Sequence, residues 1–153
     1  CACLVGSEMC IRDRLQIVLN AVEKGSNPWG CTDYLNQKKK ILETGADVYE
    51  LMNDYPVHTK AVLINDRLSV VGSYNLDMRS TYLDTELMLV IDSEKLSQQI
   101  HETESDYMEK SKEVLANGQE TEGAKYQGKV LNRKKKLYYG VLRIIIRPLR
   151  QLL

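Results

Sequence analysis

Four side chains suited to phosphoryl chemistry fall within residues 58–86: His58, Lys60, Asn75 and Glu86. An imidazole has a pKa near neutrality, so His58 could attack phosphorus or protonate a leaving oxygen. The Lys60 ammonium and the Asn75 amide could neutralise and hydrogen-bond phosphate oxygens as charge builds on them. The Glu86 carboxylate could hold the second imidazole nitrogen and fix the tautomer of His58. The set therefore indicates chemistry on a phosphodiester.

The apolar runs around these residues predict strands whose ends lie together. His58 and Lys60 are two residues apart, so an extended strand places both side chains on one face. A second apolar strand, 68–71, leads directly into the run GSYN at 72–75, and a third strand, 86–91, begins at the glutamate. Neighbouring strand ends would bring the imidazole, ammonium, amide and carboxylate to one place.

The order and spacing of these residues resemble the phospholipase D superfamily, whose pattern is H-x-K-x4-D, then G-S-x-N, then a Glu at the start of a later strand. Six residues of this chain match that pattern: His58, Lys60, Gly72, Ser73, Asn75 and Glu86. The resemblance implies an α/β fold, a mixed β-sheet with helices on both faces, of which two copies form one site. It also implies a double displacement through a phosphohistidine, with no metal or other cofactor.

One position departs from the family pattern. The count after Lys60 places Asn65 where the family has Asp, and Asp66 follows immediately. Asn-Asp between two apolar runs predicts a tight hairpin turn. Asn65 and Asp66, like Gly72, are therefore expected to have structural roles. If the negative charge of the family Asp is needed for activity, Asn65 would impair the activity of this copy.

The run NLDMRS at 75–80 resembles the segment that follows the Asn in the cardiolipin synthase-like branch of the superfamily. Within it Arg79 could bind a lipid phosphate, or it could pair with Asp77 or Asp84. Ser73 of the GSYN run is a further candidate for substrate binding.

The chain upstream of His58 has the pattern of an α/β unit. It predicts strand 15–22, loop 23–32, helix 34–44 ended by Gly45, and strand 47–52. Trp29 falls in the loop, where it could line the substrate pocket or pack at the domain edge. A polar helix over 93–116 carries His101, which is expected on the surface and not in the site.

The remaining segments differ in composition from the predicted half-domain, 15–116. Residues 1–14 have no helical or strand period, and we interpret them as non-native or disordered. The cysteines there lack the further ligands of a metal site. Residues 117–128 are polar and Gly-rich and predict a linker.

Residues 129–153 form a basic tail on an otherwise acidic chain. The tail holds eight Lys and Arg and no acid, whereas residues 1–128 hold 13 Lys and Arg against 21 Asp and Glu. Its apolar runs are too short to span a bilayer but suit an amphipathic interfacial helix on an anionic membrane surface. Alternatively, Ile144, Ile145 and Ile146 would pack on the domain. Nucleic acid is disfavoured because no base-stacking platform accompanies the charge.

The resemblance implies the C-terminal half of a cardiolipin synthase-like phosphatidyltransferase acting on a phosphatidylglycerol-like phospholipid at the cytoplasmic face of the bacterial cell membrane. One HxK motif supplies one histidine, so a missing N-terminal half or a second copy is expected to complete the site. Two alternatives stay open: a homodimeric phosphodiesterase or nuclease, and an inactive half that serves as a membrane-binding module.

Overall fold

The computed structural model describes residues 15–25, 27–128 and 130–152. The segment 1–14, interpreted above as non-native or disordered, lies outside the described residues. In chain order the elements are β1 (Gln16–Asn20), α1 (Pro28–Glu43), β2 (Asp47–Leu51), β3 (Ala61–Ile64), β4 (Leu68–Gly72), α2 (Met78–Tyr82), β5 (Met88–Asp92), α3 (Glu94–Glu109), β6 (Ser111–Val114), β7 (Glu120–Glu122), α4 (Arg133–Ile146) and a C-terminal 3₁₀ helix (Arg147–Leu152).

The first sheet has the strand order β1-β2-β6-β7, and its strands together with the residues next to their ends supply most of the buried apolar side chains. β1 and β2 are parallel, whereas β6 and β7 pair antiparallel. β2 is buried along its whole length because strands flank it on both sides. Val48, Leu51 and Val114 are among the most deeply buried side chains. This sheet is mixed, as the sequence predicts.

The second sheet is an antiparallel meander in the order β3-β4-β5. The turn between β3 and β4 has Asn65 and Asp66 at φ 51° and 53°, the left-handed region that a type I′ hairpin turn requires. Asn and Asp tolerate that region better than most residues do. The predicted hairpin turn is confirmed.

α1 begins earlier than the sequence pattern predicts. Asn27 caps it by accepting hydrogen bonds from the backbone nitrogens of Trp29 and Gly30, at 3.0 and 3.4 Å. Pro28 occupies the first turn, where its missing N–H costs nothing. The expected loop over 23–32 is therefore wrong at its end, and Trp29 lies in the first turn of a helix. Gly45, at φ 86°, follows the helix as predicted.

α3 ends at Glu109, so the predicted helix over 93–116 is too long. The Ser93 hydroxyl caps its start by accepting from the Leu96 nitrogen, but 111–114 form β6 against β2. The expected linker over 117–128 is also wrong in its structure, because it contains β7, which pairs with β6. Neither strand has an apolar run: β6 is held by pairing with the distant β2, and β7 by pairing with β6.

α4 packs on α1 with one face. Its side chains Tyr139, Leu142 and Ile146 are buried. Arg143 donates through Nε to the Asn36 side chain at 2.9 Å, and the Asn36 amide donates back to the Arg143 carbonyl at 3.2 Å. The predicted C-terminal helix is confirmed. Of the three isoleucines that could pack on the domain, only Ile146 does so; Ile144 and Ile145 are exposed.

The predicted fold class, α/β with a mixed sheet and a C-terminal helix, is confirmed, with the strands divided between two sheets. α3 contacts strands of both. Within the described ranges, no helix has the length and apolar content that crossing a bilayer requires.

Candidate active site

The site lies where three strand ends of the second sheet meet. Antiparallel pairing puts the start of β3, the end of β4 and the start of β5 at the same edge. The Gly72 nitrogen donates to the Lys60 carbonyl at 3.2 Å, and the Ser73 nitrogen donates to the Leu87 carbonyl at 3.0 Å. The HxK, GSYN and Glu86 segments therefore come together as the sequence predicts, although His58, Lys60 and Glu86 precede their strands instead of lying within them.

Lys60 reaches back to His58. Its Nζ lies 2.8 Å from Nδ1 and 2.9 Å from Nε2 of the imidazole, and it donates to the His58 carbonyl at 3.0 Å. His58 is exposed, so its ring is open to a substrate. An ammonium and an imidazole are thus held side by side, which suits an anionic phosphodiester.

Asn20 holds the segment that leads into His58. Its amide donates to the Val57 carbonyl at 2.7 Å and its side-chain oxygen accepts from the Val57 nitrogen at 2.8 Å. The residue immediately before His58 is thereby fixed to the end of β1. This role was not predicted from the sequence, where its only signal is a polar residue inside the apolar run of the predicted strand, 15–22.

Gly72 is required because the backbones of β4 and β5 approach closely. A Cβ at this position would lie 2.1 Å from the Leu87 carbonyl oxygen and 2.6 Å from the sulfur of Met88. Any larger residue would push apart the strand ends that carry Ser73 and Glu86. The structural role predicted for Gly72 therefore has a definite cause.

Glu86 accepts a short hydrogen bond from the Ser73 hydroxyl, while that hydroxyl accepts from the Leu87 nitrogen at 3.0 Å. Hydrogen bonds from Ser73 and Ser80, together with the charge of Lys60, lower the pKa of the Glu86 carboxyl below its ordinary value. The carboxylate is consequently ionised at neutral pH and supplies a negative charge beside the cationic pair.

Asn75 is held by Ser80, a residue that was not among the predicted site residues. The Ser80 hydroxyl accepts from the Asn75 backbone nitrogen at 3.2 Å and lies 3.4 Å from the Asn75 Nδ2. Ser80 is buried at 5% exposure, and its own nitrogen is capped by Asp77 at 2.8 Å. The only sequence signal for Ser80 is its place in the NLDMRS run, from which Arg79 alone was predicted to bind substrate.

The other predicted site residues are less closely associated with this cluster. Arg79 pairs with Asp84 at 2.9 Å, one of the two partners that the sequence left open. Trp29 is partly exposed on α1. Substrate binding by Arg79, Trp29 and Ser73 stays a prediction.

Among the described residues, Glu86 accepts from the Ser73 hydroxyl, and the hydrogen bonds of the His58 ring go to Lys60. Orientation of the imidazole by Glu86 is therefore still a prediction. Asn65 directly follows β3 at its far end, five residues after Lys60, a distance of about 17 Å along an extended strand. His101 is exposed beside that same turn.

This constellation, placed on strand ends of a mixed α/β fold, is that of a phospholipase D-like protein. The family described as "Cardiolipin synthase, PLD-like domain" matches residues 12–106, and the chain belongs to that family. The resemblance predicted from the motif is confirmed.

Curated relatives point to the same branch. The chain is 37% identical over 94 residues to cardiolipin synthase A of Proteus mirabilis, covering 61% of this chain and 19% of that protein. It is 32% identical over 105 residues to cardiolipin synthase A of Serratia proteamaculans, covering 69% of this chain and 20% of that protein. The chain thus aligns with about a fifth of the length of these relatives.

Proposed function

We propose that this chain supplies one histidine of a phospholipase D-type phosphatidyltransferase of the cardiolipin synthase kind. The observation that supports this most is the meeting of the HxK, GSYN and Glu86 segments at one edge of the second sheet, in a chain of that family. The substrate is a phosphatidylglycerol-like phospholipid, and the acceptor is a second phosphatidylglycerol or an equivalent alcohol.

The proposed reaction has two displacements. In the first, a histidine nitrogen attacks phosphorus, the bond from phosphorus to the leaving alkoxide breaks, and a second histidine gives its proton to that alkoxide. In the second, the acceptor hydroxyl gives its proton to the second histidine, its oxygen attacks phosphorus, and the phosphorus–nitrogen bond breaks. By analogy with two-motif members, where the nucleophile is in the first motif, His58 has the acid–base role.

The residues around His58 stabilise charge in this scheme. Lys60, with its Nζ beside the imidazole, binds non-bridging phosphate oxygens as they gain charge. The Asn75 amide donates to the same oxygens, and Ser73 and Arg79 contribute to binding the phosphodiester. Glu86, ionised because its pKa is lowered, stabilises the imidazolium form of His58 once that ring has taken a proton.

One HxK motif cannot supply both histidines, since one imidazole cannot bond to phosphorus and transfer the proton in the same step. The second histidine therefore comes from a missing N-terminal half or from a second copy. We place the assembled enzyme at the cytoplasmic face of the bacterial cell membrane, with the basic tail, 129–153, against anionic lipid.

The test is an assay of this chain as a purified monomer on phosphatidylglycerol vesicles, followed for cardiolipin and glycerol. We expect no turnover alone and turnover when the chain is joined to a half that contains a second HxK motif. His58→Ala in the joined enzyme should abolish it. Turnover by the monomer would contradict the half-site scheme, and phosphodiesterase activity of a stable homodimer would favour the nuclease-like alternative. An inactive joined enzyme would favour the other alternative, an inactive half that serves as a membrane-binding module.

A further inference from the structure

The C-terminal helix α4 has apolar residues on two different faces. Its inner face is buried against the domain. Its outer face has five apolar side chains that are between 50% and 71% exposed: Leu137, Tyr138, Val141, Ile144 and Ile145. Val141 is three or four residues from each of the other four side chains. This spacing places all five in one stripe along the helix. A contiguous exposed apolar stripe on a folded domain marks a surface that contacts something else.

The charge around this stripe indicates what it contacts. α4 begins with four consecutive cations, Arg133 to Lys136, and has no acidic residue in its sequence. All four side chains are exposed. An apolar stripe next to a row of cations is the composition that binds the boundary between headgroups and acyl chains of an anionic leaflet.

The position of α4 connects this surface to the site. The 3₁₀ helix that follows α4 contacts α2, the short helix that carries Arg79 and Ser80. The end of α2 exposes Tyr82 and Leu83. Since the inner face of α4 is fixed to α1 by the Asn36–Arg143 hydrogen bonds, the outer face cannot turn independently of the domain.

We propose that the outer face of α4 lies in the headgroup region of an anionic phospholipid leaflet and sets the orientation of the whole domain on it. The end of α2 then lies next to the lipid surface, and phospholipid reaches the site laterally. The second statement rests on the proposed reaction, whereas the first specifies which face of the basic tail makes the proposed contact with anionic lipid and needs no turnover.

The experiment is co-sedimentation of the 153-residue chain with vesicles of phosphatidylglycerol and phosphatidylcholine, and with phosphatidylcholine alone, at low and high salt. The double variant Val141→Ser/Ile144→Ser removes apolar area from the stripe, and we expect at least about tenfold weaker partitioning to anionic vesicles. The triple variant Lys134→Gln/Lys135→Gln/Lys136→Gln should remove most of the salt dependence.

The matched control is Val62→Ser/Val90→Ser, which removes two similarly exposed aliphatic side chains from the second sheet. It should bind as the parent does. All variants alter exposed positions, so their melting temperatures should agree. Equal binding of parent and stripe variant, equal binding to neutral vesicles, or a dimer in light scattering that the stripe variant dissociates would overturn the proposal. None of these readouts requires turnover, so failure of the proposed function would leave them interpretable.

A second inference rests on a different observation, the buried hydroxyl of Ser80. A hydroxyl has one proton to donate and two lone pairs to accept with. Ser80 accepts from the Asn75 nitrogen at 3.2 Å and contacts its Nδ2 at 3.4 Å, and its hydroxyl helps to lower the pKa of the Glu86 carboxyl. One side chain therefore joins two of the four predicted catalytic groups.

We infer that Ser80 is a positioning residue that fixes the Asn75 amide relative to the Glu86 carboxylate. The inference rests on the proposed function, in which Asn75 binds a phosphate oxygen. In Ser80→Ala both groups lose a partner at once. Misplacing a phosphate-binding group by a fraction of an ångström lowers the rate without abolishing binding.

In the joined enzyme we expect Ser80→Ala to lower kcat about 10- to 100-fold with KM little changed, and Ser80→Thr, which keeps the hydroxyl, to recover part of it. In the 153-residue chain, carboxyl NMR should show the pKa of Glu86 rising in Ser80→Ala, because one hydrogen-bond donor is lost while Ser73 and the Lys60 charge stay.

The control is Ser97→Ala, a serine in α3 that is also buried but whose hydroxyl has no hydrogen-bond partner among the described residues. It should change neither kcat nor the Glu86 pKa. An unchanged Glu86 pKa, or an unchanged kcat in an active enzyme, would overturn the role of Ser80. An inactive parent enzyme would count against the proposed function, while the NMR result would still test the contact.

Discussion

The two sheets differ in what surrounds them. The first sheet has a central strand, β2, that is buried at every position, and α1 is hydrogen-bonded to it through Tyr34 and Lys38. The second sheet has aliphatic side chains on an uncovered face, among them Val62, Ile64 and Val90. It also has the candidate catalytic residues at one edge. The first sheet is therefore expected to determine stability, and the second to determine chemistry, and substitutions can separate the two.

The largest expected effect on stability is at Glu50, a carboxylate buried in β2 at 6% exposure. It accepts from Lys38 at 2.6 Å and from Tyr34 at 2.7 Å, and pairs with Lys112 at 3.0 Å. Glu50→Ala leaves both lysines without this partner and should cost about 3–5 kcal/mol in urea unfolding. The exposed Glu43, 3.8 Å from Lys39, is the control, with a cost below about 0.5 kcal/mol.

The same residue predicts a pH dependence. Burial alone would raise the pKa of Glu50, but the hydrogen bonds from Lys38 and Tyr34 and the lysine charges lower it below its ordinary 4.5. Its contribution to stability is then present above the unfolded pKa and is lost as the pH falls through the folded one. Urea unfolding at a series of pH values should show a shallower acid limb for Glu50→Ala than for the parent.

The largest expected effect on rate is in the second sheet. His58→Ala, Lys60→Ala and Glu86→Ala should each lower kcat of the joined enzyme at least about a hundredfold, with melting temperatures close to that of the parent because these side chains lie outside the core. His101→Ala should leave kcat nearly unchanged. An unchanged kcat in His58→Ala, together with a large loss of kcat in His101→Ala, would show that the site is assigned to the wrong end of the hairpin.

Gly72→Ala should affect both the stability and the kcat, because Gly72 lies where the second sheet meets the site. The added Cβ would meet the Leu87 carbonyl oxygen at 2.1 Å, so we expect a loss of about 1–3 kcal/mol in stability and a lower kcat. A Cβ added at Gly140 in α4 would instead meet no described atom within 4 Å beyond its own helix backbone, and Gly140→Ala should stabilise by about 0.5–1 kcal/mol. Equal melting temperatures for the two variants would contradict the close approach.

The smallest expected effect is at Asn65. Asn65→Asp restores the family residue in a turn at φ 51°, remote from the site, and should change kcat less than about threefold. Steady-state kinetics of the joined enzyme are sufficient to measure this. A large gain would show that the negative charge acts over a distance and that this copy is weakened by its absence.

The sequence predicts the site better than it predicts the first sheet. His58, Lys60, Asn75 and Glu86 belong to local runs with their own turn and strand signals, and the hairpin that brings them together closes over a few residues. β6 and β7 have polar sequences, and β6 is a strand because Val114 pairs with Val48 and Lys112 with Glu50. Local periodicity contains no information about pairing with residues so far away.

Helix boundaries and polar contacts show the same division. Asn27 and Pro28 are a recognisable helix start, but Pro28 and Gly30 also punctuate loops, and the loop interpretation was the wrong one. The roles of Asn20 and Ser80 depend on which backbone groups lie beside them in the folded chain. The sequence alone could not divide α4 into inner and outer faces, because both are apolar and only the position of α1 distinguishes them.

The docking of α4 has a consequence for how the protein is made. Asn36 and Arg143, which join α1 to α4, are 107 residues apart in the chain. At translation rates of about 5–20 residues per second, the α1 surface is synthesised roughly 5–20 s before the helix that covers it. During that interval α1 has no α4 to pack on, so the domain completes this interface only after its last helix has been synthesised.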